Sequence, residues 1–178
     1  IGCEFSGIVR EAFRKKGHQA FSCDIIPSDD NSKYHIQDDI LNHLDDNYDM
    51  LICFPPCTHL CSSGARWFKD KIPQQKEALE FVKKLLNCNI PKIALENPIG
   101  IISTRIKKPT QIIQPYQFGH GETKATCLWL KNLPKLKPSN IVKGREARIH
   151  NMPPTKDRSK LRSITYTGIA QAMAEQWI

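Results

Sequence analysis

The 178-residue sequence lacks several features that would assign it to a whole class of proteins. No apolar run is long enough to span a bilayer, so we expect no membrane-spanning segment. There is no visible secretory signal, no internal repeat and no low-complexity tract. The chain opens on Ile1 without an initiator methionine, which leaves room for a preceding segment. Its length suffices for one domain with a real core, so we expect a single domain over residues 1–178.

Acidic residues are also scarce. The chain has 18 Asp and Glu against 26 Lys and Arg, which gives a formal net charge of +8. This excess fits an anionic partner, most simply nucleic acid or nucleotides, although a basic, soluble surface without a partner has the same composition. The seven cysteines are odd in number and mostly lie in apolar, strand-like runs. We therefore expect no disulfide framework and a reducing, cytoplasmic setting.

The N-terminal residues predict a βαβ unit. Residues 1–5 are typical of a strand end, residues 6–7 of a turn, and residues 8–16 of an amphipathic helix. A second strand over residues 20–23 is closed by Asp24. In such units the backbone approaches a nucleoside at the glycine turn, and the acid binds the ribose hydroxyls. The glycine signal is a single residue here, and the acid is alternatively an ordinary turn residue.

A cysteine follows the next predicted strand. Residues 48–54 form an apolar run that predicts a buried parallel strand. Pro55 and Pro56 end it, because proline cannot donate a backbone hydrogen bond to a sheet. Cys57 therefore lies just past the carboxyl end of a strand, where open α/β sheets bind ligands. It is a candidate nucleophile; the alternative is a buried structural cysteine.

Polar side chains follow two other predicted strands. Asp38 and Asp39 stand where they either hold a ligand amine or cap a short helix. Glu96 and Asn97 end the apolar run that begins at residue 92. Because the carboxyl ends of parallel strands meet at one edge of a sheet, we expect Glu96 and Asn97 to converge on Cys57.

The rest of the chain continues the alternation of helices and strands. An apolar stripe predicts a core helix over residues 73–87, and residues 123–130 predict a strand. Residues 111–118 look irregular, and residues 169–177 predict a closing helix. Residues 131–163 are loop-rich, with ten basic residues against two acidic ones. This basic segment is the best candidate for a phosphate-contacting surface; the alternative is a solvated, partly disordered excursion.

Taken together, these residues resemble the DNA (cytosine-5)-methyltransferase family in a compact, phage-type form. The resemblance runs in chain order over nearly the whole sequence. Pro-Pro-Cys followed by Glu-Asn-Pro inside a βαβ series is its most specific part. The matching residues are Phe5-Ser6-Gly7, Asp24, Asp39-Ile40, Pro55-Pro56-Cys57, Glu96-Asn97-Pro98, residues 116–126 and Thr167-Gly168-Ile169-Ala170.

The resemblance implies an α/β, Rossmann-like, S-adenosylmethionine-dependent methyltransferase fold, with a mostly parallel sheet and helices on both faces. It implies methyl transfer to C5 of cytosine in DNA through a covalent adduct of Cys57. Glu96 would contact the base edge, Asn97 would orient the cysteine loop or support Glu96, and Lys124 would lie near a phosphate or the base oxygen. The residues implied to bind S-adenosylmethionine are Phe5, Ser6, Gly7, Asp24, Asp39, Pro55 and Gly168.

Such a nucleophile needs a lowered thiol pKa, and Arg66 and His59 are the nearby groups in sequence that could lower it.

The sequence departs from the family pattern in three places. Val9 stands where a second cofactor-loop glycine is usual, and Lys124 and Thr126 replace the arginines of Q-x-R-x-R. No large target-recognition domain is present, so we expect single-stranded or otherwise exposed DNA, or a partner protein that supplies recognition. A phage-encoded protein would act in the host cytoplasm.

Other interpretations remain open. A non-catalytic DNA-binding relative would keep the fold without the chemistry, and a thiol-dependent enzyme could modify free cytosine nucleotides instead of DNA. Cys57, His59 and Cys61, with Cys53 upstream, offer soft metal ligands. Structural zinc more often uses C-x2-4-C knuckles, and alternate residues of an extended chain point to opposite sides. We therefore expect no metal.

Overall fold

A computed structural model describes residues 1–62 and 70–177. Arg66, one of the groups expected to act on Cys57, lies outside these residues. The fold is mixed α/β, as the sequence predicts. In the described part of the chain, no helix has the length and apolar character needed to cross a membrane.

The strands form a sheet of mixed direction. The described strands are β1 (Ser22–Asp24), β2 (His35–Gln37), β3 (Met50–Cys53), β4 (Lys92–Pro98), β5 (Gln111–Ile113) and β6 (Thr126–Lys131). β1 pairs in parallel with β2, and β3 with β4. β6 runs antiparallel to both β4 and β5, so the sheet is mixed where the sequence led us to expect a mostly parallel one. Gly2 bridges in parallel to Cys23 and Cys53, which gives the order β2, β1, Gly2, β3, β4, β6, β5.

Helices cover both faces of this sheet. The described helices are α1 (Ile8–Lys15), α2 (Ile72–Asn87), α3 (Ile102–Arg105), α4 (Arg148–Asn151), α5 (Arg158–Ser163) and α6 (Thr167–Gln176). Ile52 and Ala94 are buried on the face that carries α1 and α6. Leu51 and Leu95, their neighbours in sequence, are buried on the face that carries α2. This alternation places one apolar core on each side of β3 and β4.

The structure adds short elements that the sequence did not predict. Residues 111–118, expected to be irregular, contain β5 and a 3₁₀ turn at Pro115–Gln117. The basic segment contains α4 and α5. The Gln111 side chain exchanges hydrogen bonds with the backbone of Leu136, at 2.7 and 2.8 Å. Contacts of this kind join residues distant in sequence, and three-residue strands are too short to display a hydrophobic period.

The basic segment is divided between two edges of the sheet. Thr126, at the start of β6, pairs with Pro98, and Lys131, at its end, pairs with Ile93. The segment therefore leaves the sheet at the edge where β4 begins. It returns to the opposite edge by Asn140, whose carbonyl accepts the Gly119 N–H at 2.7 Å.

Candidate functional site

The loop after β3 is held by a side chain of β4. The buried Asn97 donates from Nδ2 to the carbonyl of Pro55 at 2.8 Å. The loop then closes into one helical turn, because the N–H groups of Leu60 and Cys61 both donate to the Cys57 carbonyl at 3.0 Å. Of the two contacts expected for Asn97, the structure has the one with the cysteine loop.

The Cys57 thiol has a raised pKa in this structure. The largest cause is a hydrogen bond with Cys61, followed by burial and by the charges of Cys61 and Glu96. Lys124 opposes the shift, since its positive charge favours the thiolate. The expected lowering is therefore absent. His59 Nδ1 is buried and has no hydrogen-bond partner among the described residues.

Glu96 lies at a small cavity on the α6 face of the sheet. The cavity measures about 20 Å³, room for about one water molecule, and is lined by Phe54, Glu96, Lys124, Thr126 and Tyr166, among others. Burial raises the pKa of the Glu96 carboxyl, while Lys124 and a hydrogen bond with Thr126 act in the opposite direction. The structure thus brings Cys57, Glu96 and Lys124 within electrostatic reach of one another, as the sequence predicts for Cys57 and Glu96.

Both the backbone and the side chain of Lys124 are held by hydrogen bonds. Its backbone N–H donates to Gln114 Oε1 at 2.9 Å, and its ammonium donates to the carbonyl of Arg162 at 2.9 Å. The ammonium also lies 5.9 Å from the centre of the Tyr166 ring. Lys124 therefore links the cavity to the C-terminal part of the basic segment.

A polar network beside the cavity was missed by the sequence analysis. The Tyr166 hydroxyl donates to Glu122 at 2.6 Å, and Glu122 accepts from Arg148 at 2.9 Å. Burial and the Glu122 carboxylate raise the pKa of Tyr166, so its hydroxyl remains a donor. These residues come from separated parts of the chain and match no short motif, which is why no sequence signal identified them.

Gly168 is required by packing against its neighbours. A Cβ at this position would overlap the carbonyl oxygen of Phe118. The Gly168 N–H donates to His120 Nε2 at 3.0 Å. The resemblance assigns Gly168 to the cofactor, and the contacts observed here are with the protein itself.

The Phe5-Ser6-Gly7 loop precedes α1 and is stabilised by buried hydrogen bonds of Glu4 and Arg10. Gly7 has a φ of 71°, a left-handed conformation that favours glycine. The buried Glu4 accepts the N–H groups of the second and third residues of α1, from Val9 at 2.6 Å and Arg10 at 3.2 Å. Arg10 is fully buried and donates to Ser22 Oγ at 2.7 Å. The loop is therefore tied to both α1 and β1.

The two acids expected to bind a nucleoside have different surroundings. Asp24 is half-buried at the end of β1, and burial raises its pKa. Ile25, directly after it, is 72% exposed and offers an apolar surface beside the carboxylate. Asp39 is exposed and accepts the Leu41 N–H at 2.9 Å, so it caps the 3₁₀ turn at Ile40–His43. For Asp39 the structure therefore has the capping alternative.

No cluster of three or more potential metal ligands occurs among the described His, Cys, Asp and Glu residues. A scan against protein-family models found no match to this chain. A search of curated proteins also found no significant match.

Proposed function

We propose that this chain is an S-adenosylmethionine-dependent methyltransferase that modifies C5 of cytosine in DNA through a covalent adduct of Cys57. The observation that carries the proposal is the convergence of a thiol, a carboxyl with a raised pKa and an ammonium at the carboxyl ends of the parallel strands β3 and β4. This is the set of groups that nucleophilic addition to a cytosine ring requires.

The strand order supports a nucleotide-binding arrangement. With the extended Gly2 segment counted as the first strand, the order begins 3-2-1-4-5, as in doubly wound sheets that bind dinucleotides. The order reverses between Gly2 and β3. The Phe5-Ser6-Gly7 loop and the Pro55-Pro56-Cys57 loop follow these two elements. A ligand placed at the reversal would therefore contact both loops.

The position of Glu4 favours a cofactor without phosphate over a dinucleotide. Dinucleotide enzymes bind a pyrophosphate at the N-terminus of the first helix. Here the Glu4 carboxyl accepts the N–H groups of Val9 and Arg10, so a carboxyl already occupies two of the donors that a phosphate would use. S-adenosylmethionine has no phosphate and carries a sulfonium cation, so it fits this loop. Asp24 would hold its ribose, and the exposed Ile25 would pack on the adenine.

The site residues divide the chemistry between them. The Cys57 thiolate adds to C6 of the cytosine ring, which makes C5 nucleophilic. Glu96 is protonated readily because of its raised pKa, and it donates that proton to N3 as the adduct forms. Lys124 favours the Cys57 thiolate. S-adenosylmethionine, when bound, supplies the electrophilic methyl group. Because the Cys57 thiol is protonated at rest, it first loses its proton to water. After the methyl group has moved to C5, water takes the C5 proton, the bond between C6 and the Cys57 sulfur breaks, and N3 returns its proton to Glu96.

The portion of the basic segment that lies beside the site supplies the contact with DNA. Lys143, Arg145 and Lys156 are exposed in this portion, at or beyond the point where the chain returns to the site edge. Arg145 lies over the Tyr116 ring, with its guanidinium carbon 3.4 Å from the ring centre. Cations and an aromatic ring together are typical of single-stranded nucleic-acid binding. The cavity at Glu96 has room for about one water molecule, so it would have to widen to admit a base. An already unpaired cytosine would reach it at less cost than one flipped from a duplex, because no base pair has to open.

A mechanism-based trap tests the proposal. The protein is incubated with S-adenosylmethionine and single-stranded DNA that contains 5-fluorocytosine, then separated on a denaturing gel. Fluorine blocks the final elimination, so an adduct of Cys57 persists as a shifted band. We expect the band in wild type and in Cys88→Ala, a matched thiol variant distant from the site in sequence, and its loss in Cys57→Ala.

Salt-sensitive DNA binding without a band would favour the non-catalytic alternative, for which the raised Cys57 pKa is the supporting observation. A transfer reaction with deoxycytidine nucleotides but not with DNA would instead select the free-nucleotide enzyme. Either result overturns the proposal.

A further inference from the structure

Thr126 lies at the Glu96 cavity in a position where the family has an arginine. It is 4% exposed and lies near the carboxyl end of β4, opposite Pro98. Glu96 lies opposite Leu128 on the same pair of strands. Directly opposed residues share a face of the sheet, and alternate residues return to it, so the side chains of Thr126 and Glu96 are diagonal neighbours.

The Thr126 hydroxyl has two partners at this position. Oγ1 donates to the carbonyl of Lys124 at 3.1 Å. Thr126 also lines the same cavity as Glu96, and its hydroxyl lowers the pKa of the Glu96 carboxyl, as a donor to the ionised form does. A hydroxyl has one proton to donate and two lone pairs that accept. It therefore cannot donate to both partners at once, and the protonation state of Glu96 decides the arrangement.

Each state of Glu96 has a satisfied arrangement. When Glu96 is ionised, Thr126 donates to the carboxylate. When Glu96 is protonated, its O–H donates to Oγ1, and Thr126 turns its own proton to the Lys124 carbonyl. An arginine has donors only, so it would stabilise the ionised carboxylate alone. The Lys124 ammonium favours the ionised carboxylate by its charge, but it also has donors only, so of these two side chains Thr126 is the one that can accept from the protonated carboxyl.

We propose that Thr126 is a positioning residue for Glu96, whose hydroxyl holds the carboxyl in one orientation both before and after proton transfer. This inference rests on the proposed function. As the thiolate of Cys57 adds to C6, the carboxyl proton moves to N3 and leaves a carboxylate, which Thr126 then receives as a donor. Lys124 and Thr126 together thus replace the two arginines by one cation and one reversible hydrogen bond.

The test compares Thr126→Val, which keeps the shape and removes the hydroxyl, with Thr126→Ser, which keeps the hydroxyl. Thr126→Ala is a second hydroxyl-free variant if the valine protein does not fold. The Glu96 carboxyl is titrated by ¹³C NMR of δ-labelled glutamate and assigned with Glu96→Gln. We expect a higher Glu96 pKa in Thr126→Val, because its carboxylate loses a donor, and a wild-type titration in Thr126→Ser.

In the methyl-transfer assay, we expect Thr126→Val to lower kcat by roughly tenfold with little change in KM, the loss that one hydrogen bond represents. The limb of its pH profile on which activity falls as Glu96 loses its proton, the alkaline limb, should move in the same direction as the NMR titration. Superimposable Glu96 titrations in wild type and Thr126→Val would overturn the inference. A shifted titration in a protein that forms no adduct with 5-fluorocytosine DNA would support the link between Thr126 and Glu96 and count against the proposed function instead.

Discussion

Asn97 on β4 and Pro55 in the loop after β3 are joined by a buried hydrogen bond of 2.8 Å. The bond fixes a backbone carbonyl two residues before Cys57, in a loop where neither proline has an N–H to offer a neighbouring strand. Asn97 Oδ1, in contrast, is buried and has no partner among the described residues. The amide group of Asn97 thus matters as a donor.

We expect Asn97→Asp and Asn97→Ala to destabilise the protein by about 1–3 kcal/mol, since each removes the donor to Pro55 and leaves a buried acceptor unpaired. Adduct formation on 5-fluorocytosine DNA should fall in both. Urea denaturation gives the stability, and the gel gives the adduct. Asn87→Ala, at the exposed end of α2, is the control and should change neither measurement. Wild-type adduct formation in Asn97→Ala would contradict an orienting role.

Gly168 and Gly17 are glycines for different physical reasons: the first lacks space for a side chain, and the second has a positive φ. We expect Gly168→Ala to cost about 1–3 kcal/mol, because the new methyl group overlaps the Phe118 carbonyl and the segment has to shift. Gly17→Ala meets no atom within 4 Å, and its cost comes from a φ of 90° alone, about 1 kcal/mol. Thermal unfolding of the two variants measures the difference. Equal stability of Gly168→Ala and wild type would show that the contact with Phe118 relaxes freely.

The sequence predicted where the central strands end better than it predicted the whole sheet. Cys57 follows β3, and Glu96 and Asn97 lie near the carboxyl end of β4. Both strands have evident apolar runs, so the proximity of these residues could be expected. β5 could not, because it has three residues and depends on pairing with β6. The raised pKa of Cys57 was also unforeseeable, since its main cause is the thiol of Cys61 one helical turn later. The contacts of Thr126 and Tyr166 at the Glu96 cavity are ones that residue spacing alone does not reveal.

Glu96 should make stability depend on pH. Its pKa is raised in the folded protein from an ordinary value of 4.5, so the folded state holds the proton more tightly than the unfolded chain. Its contribution to stability is then present below the ordinary pKa and is lost as pH rises through the folded pKa. We expect Glu96→Gln, which is neutral, to be more stable than wild type above that window.

Urea denaturation at pH 4 and at pH 8 measures this effect. The control is Glu80→Gln on the exposed face of α2, where Lys83 lowers the glutamate pKa and the dependence on pH has the opposite sign. An identical pH dependence in wild type and Glu96→Gln would mean that Glu96 does not titrate between these values.

The division of the basic segment predicts an asymmetry in DNA binding. Lys143 and Lys137 are both exposed, but Lys143 lies at the site edge, next to Val142, whose N–H donates to the Tyr116 carbonyl at 2.9 Å. The backbone N–H and carbonyl of Lys137 bond to Gln176 at the end of α6, at the opposite edge. We expect Lys143→Gln to weaken binding of single-stranded DNA and to reduce its salt dependence by about one ion, and Lys137→Gln to change neither. Equal losses in both variants, measured by fluorescence anisotropy over a salt series, would indicate non-specific attraction to the whole basic surface.

Cys57 and Cys61 face each other across one helical turn. Their thiols hydrogen bond, and the Cys61 N–H donates to the Cys57 carbonyl at 3.0 Å, which places the two backbones at a separation that a disulfide can bridge. We expect diamide to oxidise this pair. The two thiols lose their hydrogens, which reduce the N=N bond of diamide, and a disulfide forms between the two sulfur atoms. The mass falls by two hydrogens, and adduct formation on 5-fluorocytosine DNA stops until dithiothreitol restores the thiols.

After treatment with diamide, Cys61→Ser should still form the adduct, because the thiol that pairs with Cys57 has been removed. Cys88→Ser should lose adduct formation under the same treatment, as wild type does. Peptide mass mapping under non-reducing conditions identifies the bond. Because the Cys57 pKa is raised by Cys61, Cys61→Ser should also alkylate faster with iodoacetamide at neutral pH, as more of its Cys57 is thiolate. Slower alkylation in Cys61→Ser would mean that Cys61 donates to the Cys57 thiolate and assists the nucleophile instead of restraining it.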